Sequence, residues 1–361
     1  MRSSDDGRRG ARALTAGAPS RRGFGAMLAA ALAAGVGESG CNADDSRRFV
    51  LSSYGGDTKK YLEAYAIEPL LKPKGIRTAF ESSFDGPRKL KLLAERRLAH
   101  GTYDVVHDQA SVLYEMSKRH LLAELDLARL GFYRDIIPAL RTTYAVPMTC
   151  TPRVILYNPA KVARRPRSYA DLWNPAFGNK IGVIDPQYAA VIAMAALVGG
   201  GSLSDYEPGK AKLLELKRAG VRIYPEWSNL GQALQTGECW VGVGTLSRGL
   251  MWRNAGVPIE IAYPEEGSVL DWWGFGIPKN ARNPGAAYEF LNAALSDGAQ
   301  AGYSSHMWSA PPTTSGLAAI AEPIRRQLQL PSSAKILPLD EDYLYRNDAS
   351  LKTWWDRAFK A

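Results

Sequence analysis

Beyond its N-terminal portion, the chain has no stretch of about 18 or more strongly apolar residues, so nothing there reads as a membrane-spanning helix. Cysteine is scarce: Cys41, Cys150 and Cys239 are the three in 361 residues. That excludes a disulfide-stapled scaffold. Cys150 and Cys239 read as small buried residues, with a pairing in an oxidising compartment left open. Histidine is nearly as rare, at four, and neither His-Glu-x-x-His nor Gly-x-Ser-x-Gly occurs. Three of the four histidines lie in Lys/Arg- or Leu-rich helical segments or at helix ends. Only His107 touches a strand end, with no serine or cysteine motif beside it. Catalysis is not expected, and neither is a cofactor. A basic stripe is also missing, apart from "RRPR" at 164–167, and the aromatics are not interleaved with Lys/Arg, so nucleic-acid binding has no support.

What is present begins with an N-terminus that does not look like fold material. Residues 1–22 are polar and Arg-rich, and "GFGAMLAAALAAGVG" follows, the layout of a signal peptide over residues 1–41. Within it, "SRRGF" (Ser20 to Phe24) resembles the twin-arginine export signal, with Gly25 where an apolar residue is usual. Cys41 in "ESGC" raises lipid anchoring, against which Glu38 stands where an aliphatic residue is preferred. Removing residues 1–41 takes away six arginines and three acids, so the net charge falls from +9 to +6.

The remainder alternates. "RFVLSS" predicts a strand, "TKKYLEAYAIEPLL" a helix stopped by Pro73 and Gly75, "IRTAFES" a strand, and "GPRKLKLLAERRLAH" a helix with Leu90, Leu93 and Leu98 on one face. "YDVVHD" is another strand and "ASVLYEMSKRHLLAELD" another helix. "YAVPMTCTPRVILYNP" then turns extended, and "IGVIDPQY", the apolar "AAVIAMAALVGGG" and "AKLLELKRAGVRIYPE" resume the alternation. A strand–helix repeat of this kind predicts an α/β fold with mostly parallel sheets. No internal repeat or low-complexity run appears after residue 45.

Four segments carry a family resemblance: "SYGGDTKKYLEAYAIEPLLKPKGI", "SYADLWNPAFGNKIGV", "GVPIEIAYPEEGSVLDWWGFGIPKNARNPGAAYEFLNAAL" and "DYLYRNDASLKTWWDRAF". Together, over roughly residues 48–361, they resemble bacterial ABC-transporter extracellular solute-binding proteins of the spermidine/putrescine-binding group. The resemblance implies a two-lobed periplasmic-binding-protein clamshell of type II, each lobe a mostly parallel twisted sheet flanked by helices. Strands would cross between lobes near Ala145–Thr149 and Asp271–Gly276. Lobe one would comprise 48–147 plus 274–311, and lobe two 148–273 plus 312–361. The implied function is capture of a small organic cation or amine, polyamine-like or amino-acid-like, by a periplasmic monomer that delivers it to ABC permease subunits.

Strand alternation places Asp271 and Trp273 of "LDWWG" on one face and Trp272 on the other. In the polyamine binders this strand carries a tryptophan and, two residues on, an aspartate. Here the order is reversed, but an acid beside an indole still suits an ammonium through charge and cation–π attraction. The alternative is hinge packing by Trp273 and a turn cap by Asp271. Those binders also carry two acids after the strand matching "IGVIDPQY", whereas this chain keeps Asp185 and continues with Pro186, Gln187 and Tyr188. The loss favours a smaller or singly charged ligand. Arg153 could grip a carboxylate with its guanidinium fork, or could be a surface arginine. Strand ends add Tyr54, Asp108, Gln109, Trp227 and Thr245, the expected ligand edge of an α/β sheet. The ligand set is therefore Tyr54, Asp108, Gln109, Arg153, Asp185, Tyr188, Trp227, Thr245, Asp271 and Trp273, with no metal ligands. A ferric-ion binder of the same superfamily is the rival, although "DYLYRND" lacks an adjacent tyrosine pair. An exported enzyme is the weaker rival.

Overall fold

A computed structural model of the chain describes residues 47–83 and 85–361. The described residues fall within one compact unit. The export signal and Cys41 therefore lie outside the described residues.

The first half runs β1 (Arg48–Ser53), α1 (Gly56–Leu62, continued in wider π turns to Leu71), β2 (Arg77–Ser82), α2 (Asp85–Glu95), β3 (Val105–Gln109) and α3 (Ala110–Lys118). The long strand β4 (Val146–Tyr157) leads to β5 (Ile181–Ile184), α4 (Tyr188–Val198), α5 (Glu207–Arg218), β6 (Arg222–Tyr224), α6 (Trp227–Thr236), β7 (Val241–Thr245), α7 (Leu246–Asn254) and β8 (Glu260–Ala262). A second long strand, β9 (Ser268–Gly276), precedes α8 (Pro284–Ala294), α9 (Asp297–Met307), α10 (Thr314–Ala319) and α11 (Glu322–Leu328). The short β10 (Ile336–Leu337) and α12 (Glu341–Trp354) end the chain.

Strand order is β2-β1-β3-β9-β4-β7-β5-β6. The outer strands are parallel, as the alternation with helices predicts: β1 with β2 and β3, and β5 with β6 and β7. The centre is antiparallel, because β9 runs against both β3 and β4, and β4 against β7. All twelve residues of β4 are buried. Gly274 is required where the central strands meet, since a Cβ there would stand 2.3 Å from the Val146 carbonyl oxygen.

One apolar cluster, including Phe49, Leu51, Val106, Trp272, Phe275 and Phe290, surrounds β1, β3 and the adjoining part of β9. Around β4, β5 and β7 there are two. Ile155 and Tyr157 face one with α4 and Trp355, while Val154 and Leu156 face the other with Leu230 and Ile261. This follows from period-2 alternation along β4. Helix α4 is buried from Val191 to Ala196, matching its apolar sequence. It admits α5 closely because Gly209 has no Cβ, which would lie 2.5 Å from the Ile192 carbonyl oxygen.

One sequence expectation is adjusted. Of Leu90, Leu93 and Leu98, Leu93 alone packs against the core: Leu90 is 66% and Leu98 56% exposed, and Leu98 lies beyond the helix end. Arg88 and Leu92, four residues apart, point inward instead, because Arg88 has a buried acid to meet. Cys150 and Cys239 are both free and buried, and burial pushes each thiol up to about 12.

Candidate functional site

A cavity of about 450 Å³ opens where the strand ends of both halves converge. From the first half come Tyr54 and Thr58 after β1 and His107 and Gln109 of β3, joined by Tyr303, Met307 and Ser309 at α9 and just after it. The central strands supply Thr149 and Thr151 of β4 and Trp273 of β9. From the second half come Gln187 after β5, Glu226 and Trp227 after β6, Thr245 at the end of β7, and Ser247 and Arg248 after it. Parallel strands bring their C-terminal ends to one edge of a sheet, which explains why residues so distant in sequence share one wall. Trp273 sits opposite Gln109 on one side and Thr149 on the other, so three of these side chains form a continuous strip.

Of the ten residues expected from the sequence, Tyr54, Gln109, Trp227, Thr245 and Trp273 line this cavity. The other five have protein partners that hold them elsewhere. Asp271 is 3% exposed and its Oδ2 lies 2.5 Å from Nε of Arg153, itself 4% exposed at the side chain. The contact is a buried ion pair. Burial pushes the Asp271 carboxyl up, and Arg153 pulls against that. The free arm of Arg153 donates to Oε1 of Gln187. Asp108 is fully buried and accepts from Arg88 at 2.7 Å. Asp185 accepts from the Trp355 indole at 2.7 Å and from Lys360, so it ties the chain's C-terminal segment down. The hydroxyl of Tyr188 donates to Asp348 on α12.

Beneath the cavity the Arg88–Asp108 pair braces Tyr54, whose hydroxyl donates to Asp108 Oδ1 at 3.3 Å and whose ring lies 5.1 Å from the guanidinium carbon. His107 is 2% exposed. Its Nδ1 lies 2.8 Å from Ser53 Oγ, and its Nε2 has no partner among the described residues. Burial, with the Arg88 charge, lowers its pKa to about 3, so the ring is neutral.

Sequence reading missed the two charged residues of the wall, Glu226 and Arg248. Arg248 lies in the first turn of α7, where its backbone N–H donates to the capping hydroxyl of Thr245 at 3.3 Å. A strand-end threonine that caps a helix, with an arginine three residues on, was the signal available in "GTLSR". Arg248 makes no ion pair among the described residues, and its guanidinium donates to Met251 Sδ at 3.7 Å. Burial lowers its pKa, opposed by Asp57. The wall thus offers one guanidinium, one carboxylate, two indoles and several hydroxyls. No group of three or more His, Cys, Asp or Glu able to hold a metal occurs among the described residues.

The family model described as bacterial extracellular solute-binding protein matches residues 80–329. The spermidine/putrescine-binding periplasmic protein of Escherichia coli is 25% identical over 281 residues, covering 74% of this chain and 78% of that protein. The gamma-aminobutyric acid-binding protein of Pseudomonas aeruginosa is 24% identical over 257 residues, covering 68% of this chain and 71% of its own. The solved structure of a GABA receptor superposes with a TM-score of 0.78 at 23% identity, covering 87% of this chain and 98% of that one. That likeness shows the fold: the two-lobed α/β architecture of periplasmic binding proteins.

Proposed function

The chain belongs to the family of bacterial extracellular solute-binding proteins, and on that premise we propose that it is the substrate-binding component of an ABC importer for a small amine bearing its own carboxylate. An ω-amino acid such as γ-aminobutyrate has that chemistry. The observation that carries the reading is Arg248, a guanidinium in the cavity wall with no protein carboxylate paired to it among the described residues. A buried guanidinium favours an anion that brings two oxygens to its fork. In the same wall, Glu226 and the indoles of Trp227 and Trp273 suit an ammonium, each cation–π contact adding about 0.5–2 kcal/mol. Tyr54, Gln109 and Thr245 supply further hydrogen-bonding groups.

A diamine or polyamine wants an acid at each end. Glu226 is the one carboxylate among the described residues of the wall, because Asp108 and Asp271 are neutralised by Arg88 and Arg153. Of the ligands in the relatives' names, γ-aminobutyrate therefore fits better than spermidine or putrescine. Delivery is to a permease from the periplasm. The "SRRGF" stretch supports folded export by the twin-arginine route, and Cys41 is the candidate lipid anchor. Calorimetric titration with γ-aminobutyrate, putrescine and spermidine tests the ligand class. Preferential binding of γ-aminobutyrate, lost in Arg248→Met, is the expected result; tighter binding of either polyamine would overturn it.

A further inference from the structure

Arg153 and Asp271 form a buried pair that does not line the cavity but reaches it through Gln187. Arg153, on β4, has only donors in its side chain. Whatever side-chain oxygen or nitrogen meets its free arm must therefore be an acceptor, and the atom found there is Oε1 of Gln187. The guanidinium cannot swing away to another partner, because Asp271 holds its Nε at 2.5 Å and the two side chains are only 4% and 3% exposed. An amide group has one acceptor end and one donor end. With Oε1 committed to Arg153, the end left for the cavity that Gln187 lines is the NH2, which makes no hydrogen bond among the described residues.

We propose that Arg153 is a positioning residue that locks the Gln187 amide with its NH2 toward the cavity, making Gln187 a specificity determinant that favours a ligand carboxylate and disfavours an ammonium in its place. An unlocked glutamine amide can turn either end toward a ligand and serves anion and cation alike. A locked one is a donor only. The discrimination is set by the Asp271–Arg153 pair, although neither of its members lines the cavity. This deepens the ω-amino acid reading and rests on it.

The test uses γ-aminobutyrate and putrescine, which share a four-carbon chain and differ in carrying a carboxylate or an ammonium at one end. Both are titrated calorimetrically into the wild type, Gln187→Glu, Gln187→Leu and the double variant Arg153→Met/Asp271→Asn. Gln187→Glu preserves shape but replaces the donor with an acceptor. Loss of a hydrogen bond to a charged group should weaken γ-aminobutyrate roughly 10- to 150-fold, with putrescine unchanged or improved. Gln187→Leu should weaken γ-aminobutyrate without improving putrescine. The double variant removes both buried charges together, leaving neither unpaired. It should keep Gln187 but lose most of the preference for γ-aminobutyrate, because the amide is free to turn. A merely structural role for Arg153 would lower affinity for both probes alike and leave their ratio intact, which would overturn the positioning role. Should the double variant be unfolded, the two Gln187 variants still decide. If they keep the wild-type preference while Arg248→Met loses it, the proposal falls and the ω-amino acid reading stands. If the wild type shows no preference for γ-aminobutyrate, both fall.

Discussion

Arg153 and Asp271 form a buried ion pair between the two long central strands, with Nε 2.5 Å from Oδ2. The acid of the Asp-Trp-Trp strand is thus matched by an arginine of the same chain. Removing one member of a buried pair leaves the other charge uncompensated, at a cost of about 3–5 kcal/mol. Asp271→Asn should therefore lower the urea midpoint strongly, and Arg153→Met/Asp271→Asn should recover much of the loss. An Asp271→Asn protein with the wild-type midpoint would show that the pair contributes little.

The two neighbouring tryptophans should separate by assay. Trp272 is 5% exposed within the apolar cluster of the first half, whereas Trp273 lines the cavity. Trp272→Ala should destabilise by about 3–5 kcal/mol through the cavity it leaves. Trp273→Leu should leave the melting temperature nearly unchanged while reducing affinity for an amine and diminishing the fluorescence change on binding. Equal melting losses in both variants would contradict the assignment of the two faces.

His107 makes stability depend on pH. Its folded pKa of about 3 lies below the ordinary 6.5, so the unfolded chain takes up a proton that the native state refuses. The stability this group allows is complete above pH 6.5 and declines as pH falls toward 3. Between pH 7 and pH 5 the loss from this one group is about 2 kcal/mol. Denaturation of His107→Gln at both pH values should show a smaller acid loss than the wild type; an identical loss would place the titration elsewhere.

Glu341 works in the opposite direction. Burial raises its pKa to about 7, against the hydrogen bonds from Tyr144 and Trp272. The protonated form is favoured in the folded state, so its contribution is full below the ordinary value of 4.5 and fades as pH rises through about 7. Glu341→Gln should hold its stability from pH 5 to pH 8 better than the wild type. If the variant loses stability as steeply as the wild type over that range, this group is not the source.

The order of strands and helices could be read from the sequence because hydrophobic period depends only on neighbours along the chain, and a buried β4 or an all-apolar α4 announces itself locally. Tyr54, Gln109, Trp227 and Thr245 were legible for a related reason: each follows or ends a predicted strand, and parallel strands collect their ends at one edge. Trp273 followed from alternation along a single strand. What the sequence could not decide was the partner of each charge. Asp271 reads as a ligand acid until β4 brings Arg153 against it, and Asp108 until α2 turns Arg88 inward. Conversely, Arg248 looks like any helix arginine until the fold leaves it in the cavity wall with no ion-pair partner among the described residues. Pattern along a chain determines which elements form. Electrostatic pairing is a property of distance in space, and only the packed tertiary structure sets which charges are matched internally and which remain for a ligand.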